Sequence, residues 1–333
     1  MMNNKKKFSK ALLATFILAS TASMTACGNR LKASTAANPS VVPSTGENFN
    51  SGAPTSDDLF SPSAVQQKPI PNSAPNAATG NFLVDQATLV NDWQARGIAV
   101  SGGSIYLTAA DTKGLFKKGT FIKMNSSDGK SWKDIGSTLL GARHPMDATV
   151  EGLAINGGSL IAVDSAGKVY TVESSGNNLK VIKAAGGKDV AAGAGSIYIA
   201  NGSIEKTDAA ATSRTPVANM SATGGVGSDN LGNVYAVSGI TIKRADSTGQ
   251  VTDVVTSDLS SPSDVAVDSR NGDMYVLDAS MIKRFNSTGQ LLVSFGSGAT
   301  KPVGIAVDET GAVYVADAGT SNKDSKVYKF QLQ

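Results

Sequence analysis

Six copies of one pattern recur from residue 97 onward: a short apolar strand, a glycine-bearing turn, then a second strand. Their near-constant spacing, with no clean helical period in any window after residue 80, predicts an all-β fold. That fold is a six-bladed β-propeller of four-stranded antiparallel blades, closed by an N-terminal strand. The copies run from Gly97-Ile98-Ala99-Val100 to Ile105-Tyr106-Leu107, and from Gly152-Leu153-Ala154-Ile155 to Leu160-Ile161-Ala162. Next come Asp189-Val190 to Ile197-Tyr198-Ile199, and Gly225-Val226 to Val234-Tyr235-Ala236. The last two are Asp264-Val265 to Met274-Tyr275-Val276, and Gly304-Ile305 to Val313-Tyr314-Val315. Their centres at 106, 161, 198, 235, 275 and 314 lie 55, 37, 37, 40 and 39 residues apart, the length of one blade each.

Third and fourth strands follow in each copy. Ile242-Lys243-Arg244, the turn Ser247-Thr248-Gly249-Gln250 and Val251 to Val255 are echoed by Ile282 to Phe285, Ser287-Thr288-Gly289-Gln290 and Leu291 to Val293. The last copy ends after its third strand, Lys326 to Leu332, so one outer strand is missing. An open blade would leave an unpaired edge. Ala87 to Asp92, upstream of the first copy, is expected to supply that strand and close the ring. The first blade carries the longest insertions, at Asp111 to Thr120 and Leu139 to Asp147, with Trp132 and Phe121 in the same blade. Loops longer than an architecture needs are where ligand sites most often lie.

Upstream, Lys5, Lys6, Lys7 and Lys10 precede an apolar run from Ala11 to Ala19, small residues, and Met24-Thr25-Ala26-Cys27. A charged start, an apolar stretch too short to span a bilayer and a small-residue cut site define a secretory leader over 1–26. The cysteine at the cut resembles the lipobox of bacterial lipoproteins, which implies acylation of Cys27 with diacylglycerol and an amide-linked, palmitate-type chain. Gly28 after it resembles outer-membrane sorting in a source with two membranes, and cell-surface anchoring otherwise. The expected location is the cell envelope, lipid-anchored and extracytoplasmic.

Residues 27–79 hold seven of the 11 prolines among Ser, Thr, Asn, Ala and Gly, with no apolar period. Such a segment cannot offset its ordering entropy by burial, so a disordered tether is expected there, with the propeller over 80–333. The leader also accounts for the basic balance. The whole chain carries +3, but removing 1–26 takes four lysines and no acid, leaving 26 basic and 27 acidic residues. Nucleic acid is therefore not an expected partner. One cysteine excludes an intrachain disulfide framework, and one histidine excludes a multi-histidine zinc site.

Lys301-Pro302-Val303-Gly304-Ile305-Ala306-Val307-Asp308 to Val313-Tyr314-Val315-Ala316-Asp317 resembles the NHL repeat, as does Pro262 to Asp278. The resemblance implies a propeller but not one function, because such propellers serve as enzymes, receptors and platforms. In such a fold the residues at the start of the first strands meet at the channel mouth: Arg96, Glu151, Lys188 with Asp189, Gly224, Ser263 with Asp264, and Val303. Arg96, Glu151, Asp189 and Asp264 are the candidate ligand-binding set. Membrane attachment through acylated Cys27 and a protein, glycan or small-molecule ligand at this face are the expected partners, which makes the chain a non-catalytic binding module.

The alternative starts from Glu151-Gly152. Lactonases of the gluconolactonase type resemble this fold, and their divalent metal implies Glu151 as one ligand and Asp264 as another, since hard cations want several converging oxygens. No Asn-Gly at the start of another first strand completes the set. His144 lies a few residues before the second copy and could pair with Glu151 in acid–base work, giving Glu151, His144 and Asp264 as catalytic candidates. Asp164, Asp229 and Asp308, each in an Asp-x-x-Gly turn, and Asp268 in a longer one, read as turn residues between first and second strands rather than as calcium ligands.

Overall fold

A computed structural model of the chain describes residues 83–332, save 90–92, 112–117, 128, 130–131, 136–145, 148–149, 177–179, 183–185, 209–212 and 322. Cys27, His144 and both expected insertions in the first blade's long loops fall wholly or largely outside those residues. No described helix is long and apolar enough to cross a membrane.

Strand β1 is Leu83–Thr88. The first blade holds β2 (Trp93–Ser101), β3 (Ser104–Asp111), β4 (Lys118–Asn125) and β5 (Trp132–Asp134), and the short β6 (Met146–Asp147) also pairs with β4. The second blade holds β7 (Val150–Asn156), β8 (Ser159–Asp164), β9 (Val169–Glu173) and β10 (Lys180–Ile182). In the third, β11 (Asp189–Gly193) pairs with the 12-residue β12 (Ser196–Thr207), whose far half pairs with β13 (Arg214–Ala222). The fourth comprises β14 (Val226–Ser228), β15 (Val234–Ser238), β16 (Thr241–Ala245) and β17 (Val251–Val255). The fifth comprises β18 (Pro262–Asp268), β19 (Asp273–Asp278), β20 (Met281–Phe285) and β21 (Leu291–Gly296). In the sixth, β22 (Pro302–Val307), β23 (Val313–Asp317) and β24 (Lys326–Phe330) are completed by β1. The fold is therefore an all-β six-bladed propeller with antiparallel blades, closed by an N-terminal strand.

The closing strand lies upstream of its expected position. Leu83 to Thr88 pairs with β24 from Phe330 to Lys326, whereas Ala87 to Asp92 was expected. Chain length explains the shift. From the outer edge of the sixth blade to β2 at the centre is three strand spacings, about 14 Å, which needs roughly four extended residues. A strand paired through Asp92 would leave none, because β2 starts at Trp93. Leu89 instead turns inward, its N–H donating to Ser325 O at 2.8 Å.

Six apolar clusters form the core, one in each gap between neighbouring blades. Successive residues of a second strand serve opposite gaps: Met274 and Val276 face the fourth blade, Tyr275 and Leu277 the sixth. All six residues of β19 are buried for that reason. This is why second strands read as unbroken apolar runs rather than as alternation.

Cations on third strands sit directly across from second-strand tyrosines. Lys123 pairs in register with Tyr106, Arg244 with Tyr235, Arg284 with Tyr275 and Lys329 with Tyr314. Three of these cations stand 5.3, 5.7 and 5.5 Å from the rings of Tyr106, Tyr275 and Tyr314. The Lys-Arg pairs thus have partners inside their own blades, Lys243 with Asp253 and Lys283 with Asp278.

Turn chemistry divides the ring in two. The first three blades join first and second strands by tight turns with positive φ at both centres: Gly102-Gly103 (56° and 70°), Gly157-Gly158 (55° and 82°) and Ala194-Gly195 (49° and 75°). The last three use aspartate loops. Asp229 Oδ1 accepts the N–H groups of Leu231 and Asn233, and Asp308 Oδ1 those of Thr310 and Ala312. Asp164 makes the same kind of turn, but between β8 and β9, a correction to its expected place. The Gly157-Gly158 turn already closes the first hairpin of that blade, so the Asp turn falls one connection later.

Candidate functional site

Every inner strand enters the channel through three successive residues, and these stack into three rings of six. The rim ring is Arg96, Glu151, Lys188, Gly224, Ser263 and Val303. Below it lie Gly97, Gly152, Asp189, Gly225, Asp264 and Gly304. The third ring is Ile98, Leu153, Val190, Val226, Val265 and Ile305. Together they enclose a recess of about 190 Å³. The third ring also lines a second cavity of about 580 Å³ towards the opposite face, so six apolar side chains stand between the two.

Bulges aim the rim residues. The pairing register of the inner strands slips between Ala95 and Gly97, between Val150 and Leu153, between Pro262 and Asp264, and between Pro302 and Gly304. The extra residues are Arg96, Glu151 with Gly152, Ser263 and Val303. A bulge turns its unpaired residue out of the pleat, here towards the channel. In the fourth blade the N–H groups of Thr223 and Gly224 both donate to Val237 O, at 2.9 and 3.4 Å.

The second ring interlocks acids with glycines. Asp189 Oδ2 accepts the N–H of Val226, one blade on, at 2.7 Å. Asp264 Oδ2 accepts that of Ile305, again one blade on, at 2.9 Å, and its Oδ1 accepts Val265 N–H at 2.8 Å. The carboxylates occupy space that only glycine leaves open. A Cβ on Gly152 would lie 2.2 Å from Asp189 Oδ1, and one on Gly225 would lie 2.0 Å from Asp264 Oδ1.

Electrostatics follow from depth and from like charge. Burial pushes the Asp189 carboxyl up to about 7, against the Val226 N–H that favours its charge. Burial, then the Asp189 charge, raises Asp264 well above the usual carboxylate range. Glu151 is raised by burial and drawn back by Arg96 and Lys188. Arg96 Nε is buried with no hydrogen-bond partner.

All four expected ligand-binding residues, Arg96, Glu151, Asp189 and Asp264, therefore meet in one recess, with Lys188 and Ser263 beside them. Phe121, in the first blade as expected, is fully buried between the first and second blades and takes no part in the recess. The glycine and bulge contributions were not anticipated. Their only sequence trace is that each copy carries Gly or Asp immediately before its first large apolar residue.

A divalent metal does not fit this donor set. Glu151 sits between two cations, both oxygens of Asp264 accept backbone N–H groups and Asp189 holds another. Among the described residues no group of three His, Cys, Asp or Glu is placed to share a cation.

Fold and site define a class: a six-bladed propeller whose channel narrows to an apolar ring beneath a mouth of mixed charge. No protein-family model and no curated protein matches the chain. Among solved structures it is similar to a gluconolactonase from Xanthomonas campestris, at 15% identity over 75% of this chain and 89% of that one, with a TM-score of 0.53. It is also similar to the calcium-binding protein regucalcin from Agrobacterium tumefaciens, at 9% identity over 74% and 93%, with a TM-score of 0.53. The WD40 propeller domain of Doa1 matches at 14% identity over 77% and 98%, with a TM-score of 0.51. At such identities the likeness is one of fold.

Proposed function

We propose that the chain is an extracytoplasmic lipoprotein, anchored by acylated Cys27 and carrying its propeller on the 27–79 tether as a non-catalytic binding module. The binding face is the channel mouth. The observation that carries this reading is the commitment of Asp189 and Asp264 to the backbones of neighbouring blades. Those carboxylates hold the ring together, so the recess offers shape and charge without an assembled acid–base pair or nucleophile. Two acyl chains hold a protein to a bilayer durably where one does not, which suits a tethered binder.

Two measurements test it. Cells fed an alkyne-bearing fatty acid should label the membrane-bound protein and not its Cys27→Ala variant; an unlabelled wild type overturns the anchor. Lactone hydrolysis followed by pH-stat, with and without added divalent metal, should not exceed that of Glu151→Gln. The rival reading is a metal-dependent lactonase centred on Glu151, favoured by that residue's burial-raised pKa at the mouth. Turnover lost in Glu151→Gln would establish it.

A further inference from the structure

We infer that the mouth recess takes a small zwitterion, a molecule of amino-acid size bearing an ammonium and an anionic group. This rests on the mouth being the binding site and adds the ligand's chemistry. The recess holds a pair of carboxyl groups that no cationic side chain of the described residues reaches, and an arginine N–H with no acceptor. At its floor Asp189 and Asp264 converge over Gly225, where a Cβ would lie 2.0 Å from Asp264 Oδ1 and 2.9 Å from Asp189 Oδ2. Among the described residues both receive backbone N–H bonds and no cationic side chain. At the rim the buried Arg96 Nε lacks an acceptor, and no ion pair joins Arg96 to Glu151.

The two levels differ by one residue of inner strand, about 3.4 Å along the axis. An ammonium on the carboxyl pair and an anionic group at Arg96 would thus occupy adjacent levels of one recess. Buried like charges are costly until a counter-charge joins them, and an unfilled buried donor is costly until an acceptor does. A metal or amine alone would answer only the floor, and a simple anion only the rim. The apolar ring beneath offers no polar side chain, so a charged ligand is held at the mouth side. At about 190 Å³ it falls below the roughly 300–1,000 Å³ of sites that enclose drug-sized molecules.

The test is calorimetry on the detergent-solubilised full-length mature protein at low salt, with glycine, β-alanine, γ-aminobutyrate, ethylammonium and propanoate as probes. At least one of the three zwitterions should saturate the protein, with the two singly charged probes at least tenfold weaker. Arg96→Gln should weaken the zwitterion at least tenfold and leave ethylammonium unchanged. Asp264→Asn should weaken both; if it unfolds, Lys188→Gln, at an exposed position, provides a second rim variant and should weaken only the zwitterion. No saturation by any zwitterion, or saturation indifferent to Arg96→Gln, overturns the inference. That failure leaves the binding reading standing, since the binding reading falls instead on lactone turnover lost in Glu151→Gln.

Discussion

Asp264 of the fifth blade reaches over Gly225 of the fourth, its Oδ1 lying 2.0 Å from where a Cβ on that glycine would stand. Asp189 of the third blade meets Gly152 of the second in the same way, at 2.2 Å. Each acid then binds forward as well, to Ile305 and Val226 of the following blades. Two side chains thereby link five of the six inner strands, with glycine as the condition for the backward half of each contact.

Gly225→Ala should destabilise the protein by about 1–3 kcal/mol, the cost of forcing extra volume into a packed site. Gly152→Ala should cost more, because its Cβ would meet the Asp189 backbone as well as the carboxylate, with Cα at 2.5 Å. Adding Asp264→Ala to Gly225→Ala should recover part of the loss, since the clash is with that side chain. Urea unfolding of the single and double variants measures this, and strictly additive losses would refute the interlock.

Stability should also fall as pH rises from about 4 to about 7. Asp189 titrates near 7 in the folded chain and Asp264 is raised too, against about 3.9 in an unfolded one. Over that window the native state holds more protons, so each pH unit removes up to about 1.4 kcal/mol per proton. Asp268, Asp278 and Asp308 are lowered despite burial, by their hydrogen bonds and ion pairs, and oppose the trend below about pH 4. Maximal stability should therefore lie on the acid side of neutrality. Asp189→Asn, which mimics the protonated carboxyl, should flatten the slope between pH 5 and 8; an unchanged slope would discount the pair.

The period and the turn glycines were legible because they recur: a fold built of six equivalent gaps writes its repeat into the chain. The mouth was legible too, once Arg96, Glu151, Asp189 and Asp264 were placed at first-strand starts. Bulges were not, because one extra residue breaks strand alternation locally and leaves no period of its own. The closing strand was displaced for a related reason. Strand-like residues extend through Asp92, and only the span from rim to centre decides which of them pair. The role of Gly152 and Gly225 depends on a carboxylate one blade away, a contact no local pattern encodes.

The seam between the sixth and first blades should be the weakest gap, and Ser325 its most sensitive residue. Its hydroxyl donates to Asp317 O at 2.6 Å and accepts Ala95 N–H at 3.0 Å, in a fully buried position. Ser325→Ala strands both groups and should cost about 1–3 kcal/mol. Glu309, which accepts from Ser101 Oγ and Gly102 N at the exposed end of the same seam, should cost well under that when changed to Gln. Native-state hydrogen exchange should then show β1 and β2 amides opening earlier in Ser325→Ala than in the wild type. Uniform loss of protection across all blades would argue against a local seam.

Tyrosine–cation pairs across second and third strands should contribute in two separable parts. Arg284 stands 5.7 Å from the Tyr275 ring and also holds the buried Asp273, with Nε 2.8 Å from Oδ2. Lys123 stands 5.3 Å from the Tyr106 ring, and its amine makes no ion pair among the described residues. Lys123→Met keeps the aliphatic stem and removes the charge, so it should cost only the cation–π share, about 0.5–1 kcal/mol. Arg284→Met should cost about 1–3 kcal/mol more, because it leaves a buried carboxylate unpaired. Asp273→Asn in the same chain should restore most of that difference. If Arg284→Met and Asp273→Asn instead add without coupling in a double-mutant cycle, the ion pair carries none of the stability, and the register of arginine over tyrosine accounts for all of it.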